Sequence, residues 1–191
     1  MILPIVAYGH PTLKKVAEDI DADYPGLDEL IANMFETMYA SNGIGLAAPQ
    51  VNQSIRLFII DASPLADDHP ELATFRKIFL NPYIIEDSGE IVTAEEGCLS
   101  IPNIRENVDR HDVVVLEYYD ENWNFFEERF DGIKARIIQH EYDHLEGVLF
   151  IEKISTLRRT LLTRKLKDIT NGNISVDYRM LFPAKKKLKV T

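Results

Sequence analysis

DGIKARIIQHEYDHLEG, residues 131–147, has the pattern of a helix with its end signals in place. Asp131 is the candidate N-cap, Gly132–Leu145 the helix, and Gly147 the stop. Inside it lies H-E-x-x-H at His140, Glu141 and His144. Histidines four apart share one helix face, so both imidazoles reach a single metal ion. Glu141 projects toward that ion without ligating it. It can take a proton from metal-bound water and pass it to a leaving amine. Ile133 and Ile137 precede the motif on the same face. The competing reading is a pair of histidines in a helix–helix layer, which would leave Glu141 as a buried charge without a purpose.

A catalytic site of this kind needs a third protein ligand. The chain has one cysteine, Cys98, in EEGCLS at 95–100. One cysteine forms no internal disulfide, and a cytoplasmic location is expected. A lone cysteine is often a small buried apolar residue. Beside H-E-x-x-H, its thiolate completes a Cys/His/His set with an open fourth position.

A third segment, GIGLAAPQ at 43–50, matches the dinucleotide string G-x-G-x-x-A. It follows a helical segment rather than a strand, and Pro49 interrupts any helix after it, so that reading fails. No Gly-Lys-Ser/Thr is present, which removes a P-loop. Asp21-x-Asp23 with Gly26 is excluded as a calcium loop by Pro25 and by Ala32 at the twelfth position.

The pattern predicts a short helix from Pro11 to about Glu18 with Thr12 as cap, a long one over 27–39, and a last one over 155–168. Strands are expected at 56–61, 76–80, 83–86, 90–93, 113–119 and 125–130, the last two as a hairpin turning at Asp120-Glu121-Asn122. Residues 62–71 read as an acidic surface insertion, and the segment after Asn171-Gly172 is loosely patterned. Strands cluster between helices instead of alternating with them, which gives an α+β class. The 191 residues suit one domain: a catalytic part over 1–156, and a basic C-terminal helix and tail over 157–191 as its extension. A hydrophobic fraction of 46% excludes wholesale disorder. No apolar run approaches the roughly 20 residues of a membrane helix, and the N-terminus lacks a secretion pattern.

Charge is unevenly spread. Residues 153–191 hold 11 basic residues against two acids, Asp168 and Asp177, a net +9. The total of −10 leaves −19 on residues 1–152. The basic end suggests contact with a polyanion, or else a solvated helix face with a Lys-rich end at Lys185-Lys186-Lys187.

GIGLAAPQ, EEGCLS and QHEYDHLEG, in this order, resemble the three motifs of the peptide deformylase family, over about residues 5–156. The resemblance implies antiparallel sheets packed around a central helix carrying HExxH. It implies removal of the formyl group from N-formylmethionine of newly made polypeptides, with release of formate. It assigns Cys98, His140 and His144 to one divalent ion, ferrous iron in the cell, with zinc, nickel or cobalt as substitutes. Glu141 becomes general base and acid, while the Gln50 amide and the Leu99 N–H hold the oxyanion. Gly45 joins these catalytic residues and also borders the substrate. Ile44, Gly45, Ile133 and Ile137 surround the methionine, the peptide pairs along Ile44 and Gly97, and Arg105 stands near the cleft. Glu96 helps fix the site, and Asp143 is a surface acid or orients an imidazole. Pro49 stands where threonine is frequent. Arg136 stands where an aliphatic residue is frequent, so it either pairs with an acid or shapes the methionine pocket. The implied partners are nascent formylmethionyl chains and, through the basic end, the ribosome. DNA and membrane partners are not expected, and the chain is read as a monomer. A general metallopeptidase and a structural metal module that binds RNA are the alternatives. The first would recruit a downstream Glu or His rather than Cys98, and the second would need a fourth protein ligand.

Overall fold

The computed structural model describes residues 1–183. In chain order it contains β1 (Ile5–Val6), α1 (Leu27–Ala40), β2 (Gly45–Ala47), β3 (Leu57–Asp61), β4 (Arg76–Cys98), β5 (Ile101–Tyr119), β6 (Phe125–Asp131), α2 (Gly132–Leu145), α3 (Thr156–Thr170) and β7 (Met180–Leu181). β2 to β6 form one antiparallel meander, and β1 pairs with β7 in parallel. The class is α+β, as expected. Among the described residues no helix is long and apolar enough to cross a membrane.

β3 shows why the layers stack as they do. All five of its residues are buried, because helices cover both faces of the sheet here. Leu57 and Ile59 pack with Met34, Phe35 and Met38 of α1. Phe58 and Ile60 turn the other way, toward Ala135, Ile138 and Leu145 of α2. Phe79 stacks on Phe58 at 4.5 Å between centroids and meets Tyr118 at 4.6 Å. α2 is therefore enclosed, with its motif face turned away from this core toward a cleft. The third apolar cluster joins Leu162, Leu166 and Ile169 of α3 to Val6, Ile101, Ile104 and Val108.

Several local readings are corrected. The segment after His10 is a single 3₁₀ turn over Pro11–Lys14. His10 caps it by accepting from the Thr12 N–H, while the Thr12 hydroxyl donates to Asn52 Oδ1 at 2.6 Å. Asp131 stands at the N-cap of α2 in extended conformation but makes no side-chain cap bond. Its carboxylate accepts from Arg129 at 3.0 Å instead.

The three short strands expected over 76–93 are one strand of 23 residues, β4. Asn81-Pro82 and Asp87-Ser88-Gly89 resemble turns, but the strand runs through them with register shifts at 80/83, 84/86 and 88/91. The first half of β5 escaped notice for another reason. Ile104, Glu106, Val108 and Arg110 point inward, and Asn103, Arg105, Asn107 and Asp109 point outward. The alternation is present, but charged residues occupy half of the inward positions. The acidic 62–71 segment carries one 3₁₀ turn, Ser63–Leu65, and begins a second, Pro70–Leu72; it lies at the surface apart from its first residue, Ala62, which is fully buried.

Candidate active site

Three elements converge on one cleft of about 790 Å³. α2 presents His140 and Glu141, with the buried His144 one turn further along, the end of β4 presents Cys98, and the segment after α1 presents Gly45 and Gln50. The ligand atoms of Cys98, His140 and His144 lie within 4.8 Å of one another. Cys98 Sγ is 3.3 Å from His144 Nε2. His140 Nδ1 lies 2.8 Å from Glu96 Oε2, which fixes that ring nitrogen outward and leaves Nε2 on the Cys98 side. Burial, with the charges of His140 and Arg110, holds His144 well below the ordinary imidazole value. A thiolate and two imidazoles suit a borderline divalent ion, and three protein donors are the number that catalytic sites use. The residues thus fit a metal.

Glu141 is 5% exposed, and its Oε2 has no hydrogen-bond partner among the described residues. Burial is the main cause that pushes its carboxyl up to about 7. The carboxylate rests against Gly45. A methyl group there would stand 2.8 Å from Glu141 Cδ, so only glycine leaves room for the acid. Gln50 is 2% exposed, on a 3₁₀ turn over Ala48–Val51 whose first turn accommodates Pro49. Its Oε1 accepts from the Ala47 N–H at 2.9 Å. Nε2 is thereby aimed at the site, 3.3 Å from both Cys98 Sγ and Ser100 Oγ.

Behind the ligands lies a charge network that the sequence reading only grazed. Arg110 donates to Glu96 Oε1 at 2.6 Å and Oε2 at 2.9 Å, and to Asp143 Oδ2 at 2.8 Å. Arg136 donates to Glu96 Oε1 at 2.7 Å and to the Val108 carbonyl. Burial alone would raise the Glu96 carboxyl, yet hydrogen bonds from Arg110 and His140 hold it well below the usual carboxylate range. Of the two readings of Arg136, pairing with an acid is the contact found, although the residue also borders the cleft. Asp143 holds Arg110, and Lys153 at 3.2 Å, rather than an imidazole. Arg110 was not among the candidates. An inward-facing arginine on an alternating strand was the only signal for it.

The remaining candidates, Ile44, Gly97, Leu99, Arg105, Ile133 and Ile137, all line the cleft. Arg105 donates to Glu95 Oε2 at 2.6 Å on the exposed rim. Leu65 and the segment Ser175–Tyr178 line it as well, and neither was anticipated.

The polypeptide deformylase family model matches residues 2–160, so Ser175–Tyr178 follow the matched segment. A peptide deformylase from Christiangramia forsetii is 53% identical over 196 residues, covering 99% of this chain and all of that one. The crystal structure of a peptide deformylase from Legionella pneumophila superposes with a TM-score of 0.78 at 34% identity, over 91% of this chain and 98% of its own. The Met-Ala-Ser-bound peptide deformylase of Acinetobacter baumannii gives 0.73 at 37%, over 81% and 99%. With these relatives and a Cys/His/His group beside a buried glutamate, the chain belongs to the peptide deformylase family, metal-dependent hydrolases that remove the N-formyl group from nascent polypeptides.

Proposed function

We propose that Cys98, His140 and His144 hold the ion, that Glu141 moves the proton, and that Gln50 and the Leu99 N–H bind the oxyanion. The observation that carries this is the convergence of the three donors beside a Glu141 oxygen that has no hydrogen-bond partner among the described residues. When bound, the ion supplies a Lewis acid that acidifies water and draws charge from the formyl oxygen. Glu141 accepts a proton from the attacking water and returns it to the departing methionine amine. The Gln50 Nε2 and Leu99 N–H groups donate to the oxygen that gains charge at the former carbonyl. Gly45 keeps the space that Glu141 needs. The methionine side chain sits against Ile44, Ile133 and Ile137. The peptide pairs along the backbone of Ile44 and Gly97, a mode that reads chain direction and not sequence, with Arg105 at the rim. Met-Ala-Ser, bound in the Acinetobacter baumannii relative, is the product that such a substrate would leave. The ion in this reading is ferrous iron, with zinc, nickel or cobalt as substitutes for the same donors.

Formate release from formyl-Met-Ala-Ser, read together with metal content, tests the assignment. Anaerobically purified protein is expected to release formate, to stop when a chelator strips the ion, and to recover with Fe²⁺. Cys98→Ala is expected to lose most of its ion and its activity together. A fully metallated parent that releases no formate would overturn the reading.

We further propose that residues 157–191 extend the catalytic domain of residues 1–156, acting as a monomer in the cytoplasm. The burial of Leu162, Leu166 and Ile169 against β1 and β5 supports one folded unit. Its outward face is read as a ribosome contact. Arg158 is occupied by Glu106 at 2.6 Å, and Arg159 lies 3.9 Å from Glu152. Arg164, Lys165 and Lys167 are exposed, which makes them the residues to change; the Lys185-Lys186-Lys187 run lies outside the described residues. Neutralising all three is expected to weaken co-sedimentation with ribosomes about tenfold and flatten its salt dependence. Peptide deformylation should be untouched. Unchanged binding would remove α3 from the contact.

A further inference from the structure

Ser175–Tyr178 reaches the cleft by a route that no local pattern announces. α3 stops at Thr170, and Gly172, with φ +74°, turns the chain back. The returning segment is fastened to the other end of the chain. Ile5 pairs with Met180 and Val6 with Leu181. The Ile5 N–H donates to the Arg179 carbonyl at 2.8 Å, and the Ala7 N–H to the Leu181 carbonyl at 2.9 Å. From that anchor the half-buried Tyr178 donates its hydroxyl to the Leu99 carbonyl at 2.7 Å. One residue further on, the Tyr8 N–H donates to the Ser100 carbonyl at 2.8 Å.

Leu99 and Ser100 are the two residues between Cys98 and Ile101, which face each other where β4 turns into β5. Both carbonyls of this turn are therefore held from outside, one by Tyr8, two residues past β1, and one by Tyr178 in the segment leading into β7. The turn has Cys98 at one end and carries the Leu99 N–H. The Leu99 N–H belongs to the Cys98–Leu99 peptide and the Leu99 carbonyl to the Leu99–Ser100 peptide, with only the φ and ψ of Leu99 between the two planes. Holding the carbonyl restricts those two dihedrals, and with Cys98 fixed in register with Ile101 this limits how far the Leu99 N–H can swing from its target. Donors count in catalysis when they are already aimed before charge develops.

We propose that Tyr178 is a positioning residue for the reaction: its hydroxyl, by holding the Leu99 carbonyl, keeps the Leu99 N–H aimed at the developing oxyanion. This rests on the reading of Leu99 as an oxyanion donor. The family's matched segment ends at residue 160, so this chain completes its donor turn with a side chain from beyond it.

Tyr178→Phe keeps the ring against the cleft and removes only the hydroxyl. The expected result is a kcat for formyl-Met-Ala-Ser lowered about fivefold, the worth of one neutral hydrogen bond. KM, ion content, thermal midpoint and calorimetric affinity for Met-Ala-Ser should stay as in the parent. Unchanged kcat would overturn the proposal. So would a raised KM with weakened Met-Ala-Ser binding and full kcat, which would make Tyr178 a wall of the groove and nothing more. Gln50→Ala, measured alongside, separates the two levels. If it loses activity while Tyr178→Phe does not, only the role of Tyr178 falls. If it is fully active, Gln50 leaves the oxyanion set, and a kcat lowered in Tyr178→Phe still places the donor at Leu99.

Discussion

Glu141→Ala is expected to bind its ion as the parent does and to release formate about 1000-fold more slowly, the middle of the range for a lost general base. The ion should stay because its three donors, Cys98, His140 and His144, are untouched. The rate should fall because no other carboxylate occupies the position. Glu96 is committed to Arg110, Arg136 and His140, and Asp143 to Arg110 and Lys153. Alanine also vacates the space against Gly45, so a second variant is needed to isolate the proton transfer. Glu141→Gln keeps the shape and the contact with Gly45 but has no basic oxygen. It should be as inactive as alanine, with KM within a few-fold of the parent. A glutamine variant retaining more than about a tenth of the parent rate would move the base to another group.

The parts of this molecule legible beforehand are those whose chemistry sits at short, fixed spacing. His140 and His144 share a face because a helix repeats every 3.6 residues, and any helix through residues 132–145 would bring them together. The strand at Leu57–Asp61 was readable because a strand covered on both faces is a run of apolar residues, here Leu57–Ile60. Illegibility had two distinct causes. On β5, Glu106 and Arg110 occupy inward positions because partners wait for them, Arg158 in one case and Glu96 in the other. Such partners lie 52 and 14 residues away in sequence, so apolar periodicity cannot register them. At the chain ends, β1 and β7 are two residues each, too short to show any period, and their parallel pairing exists only once the whole chain has folded. Tyr178 inherits that non-locality. The Cys/His/His group and Glu141 could thus be named in advance, and Glu96 through the family resemblance, while Arg110 and Tyr178 could not.

Gln50→Ala is expected to cost between about 100- and 1000-fold in kcat, equivalent to about 3–4 kcal/mol of transition-state stabilisation. The size follows from how little freedom Gln50 has. An exposed glutamine would lose rotamer entropy and water contacts each time it met an oxyanion. Here the side chain is 2% exposed, and its carbonyl end is already tied to the Ala47 N–H. The amide cannot flip without breaking that bond, so Nε2 faces Cys98 and Ser100 before substrate arrives. Truncation removes the donor and also leaves the buried Ala47 N–H unpaired, a structural cost that thermal denaturation would register separately. Gln50→Glu resolves the ambiguity. Its carboxylate can still accept from Ala47 but presents an acceptor, and a charge, to the thiolate and to the oxyanion. It should therefore be no more active than alanine even though its fold is better supported. If Gln50→Glu were instead to restore activity toward the parent level, the amide's contribution would be packing. The oxyanion would then depend on the Leu99 N–H and the ion alone.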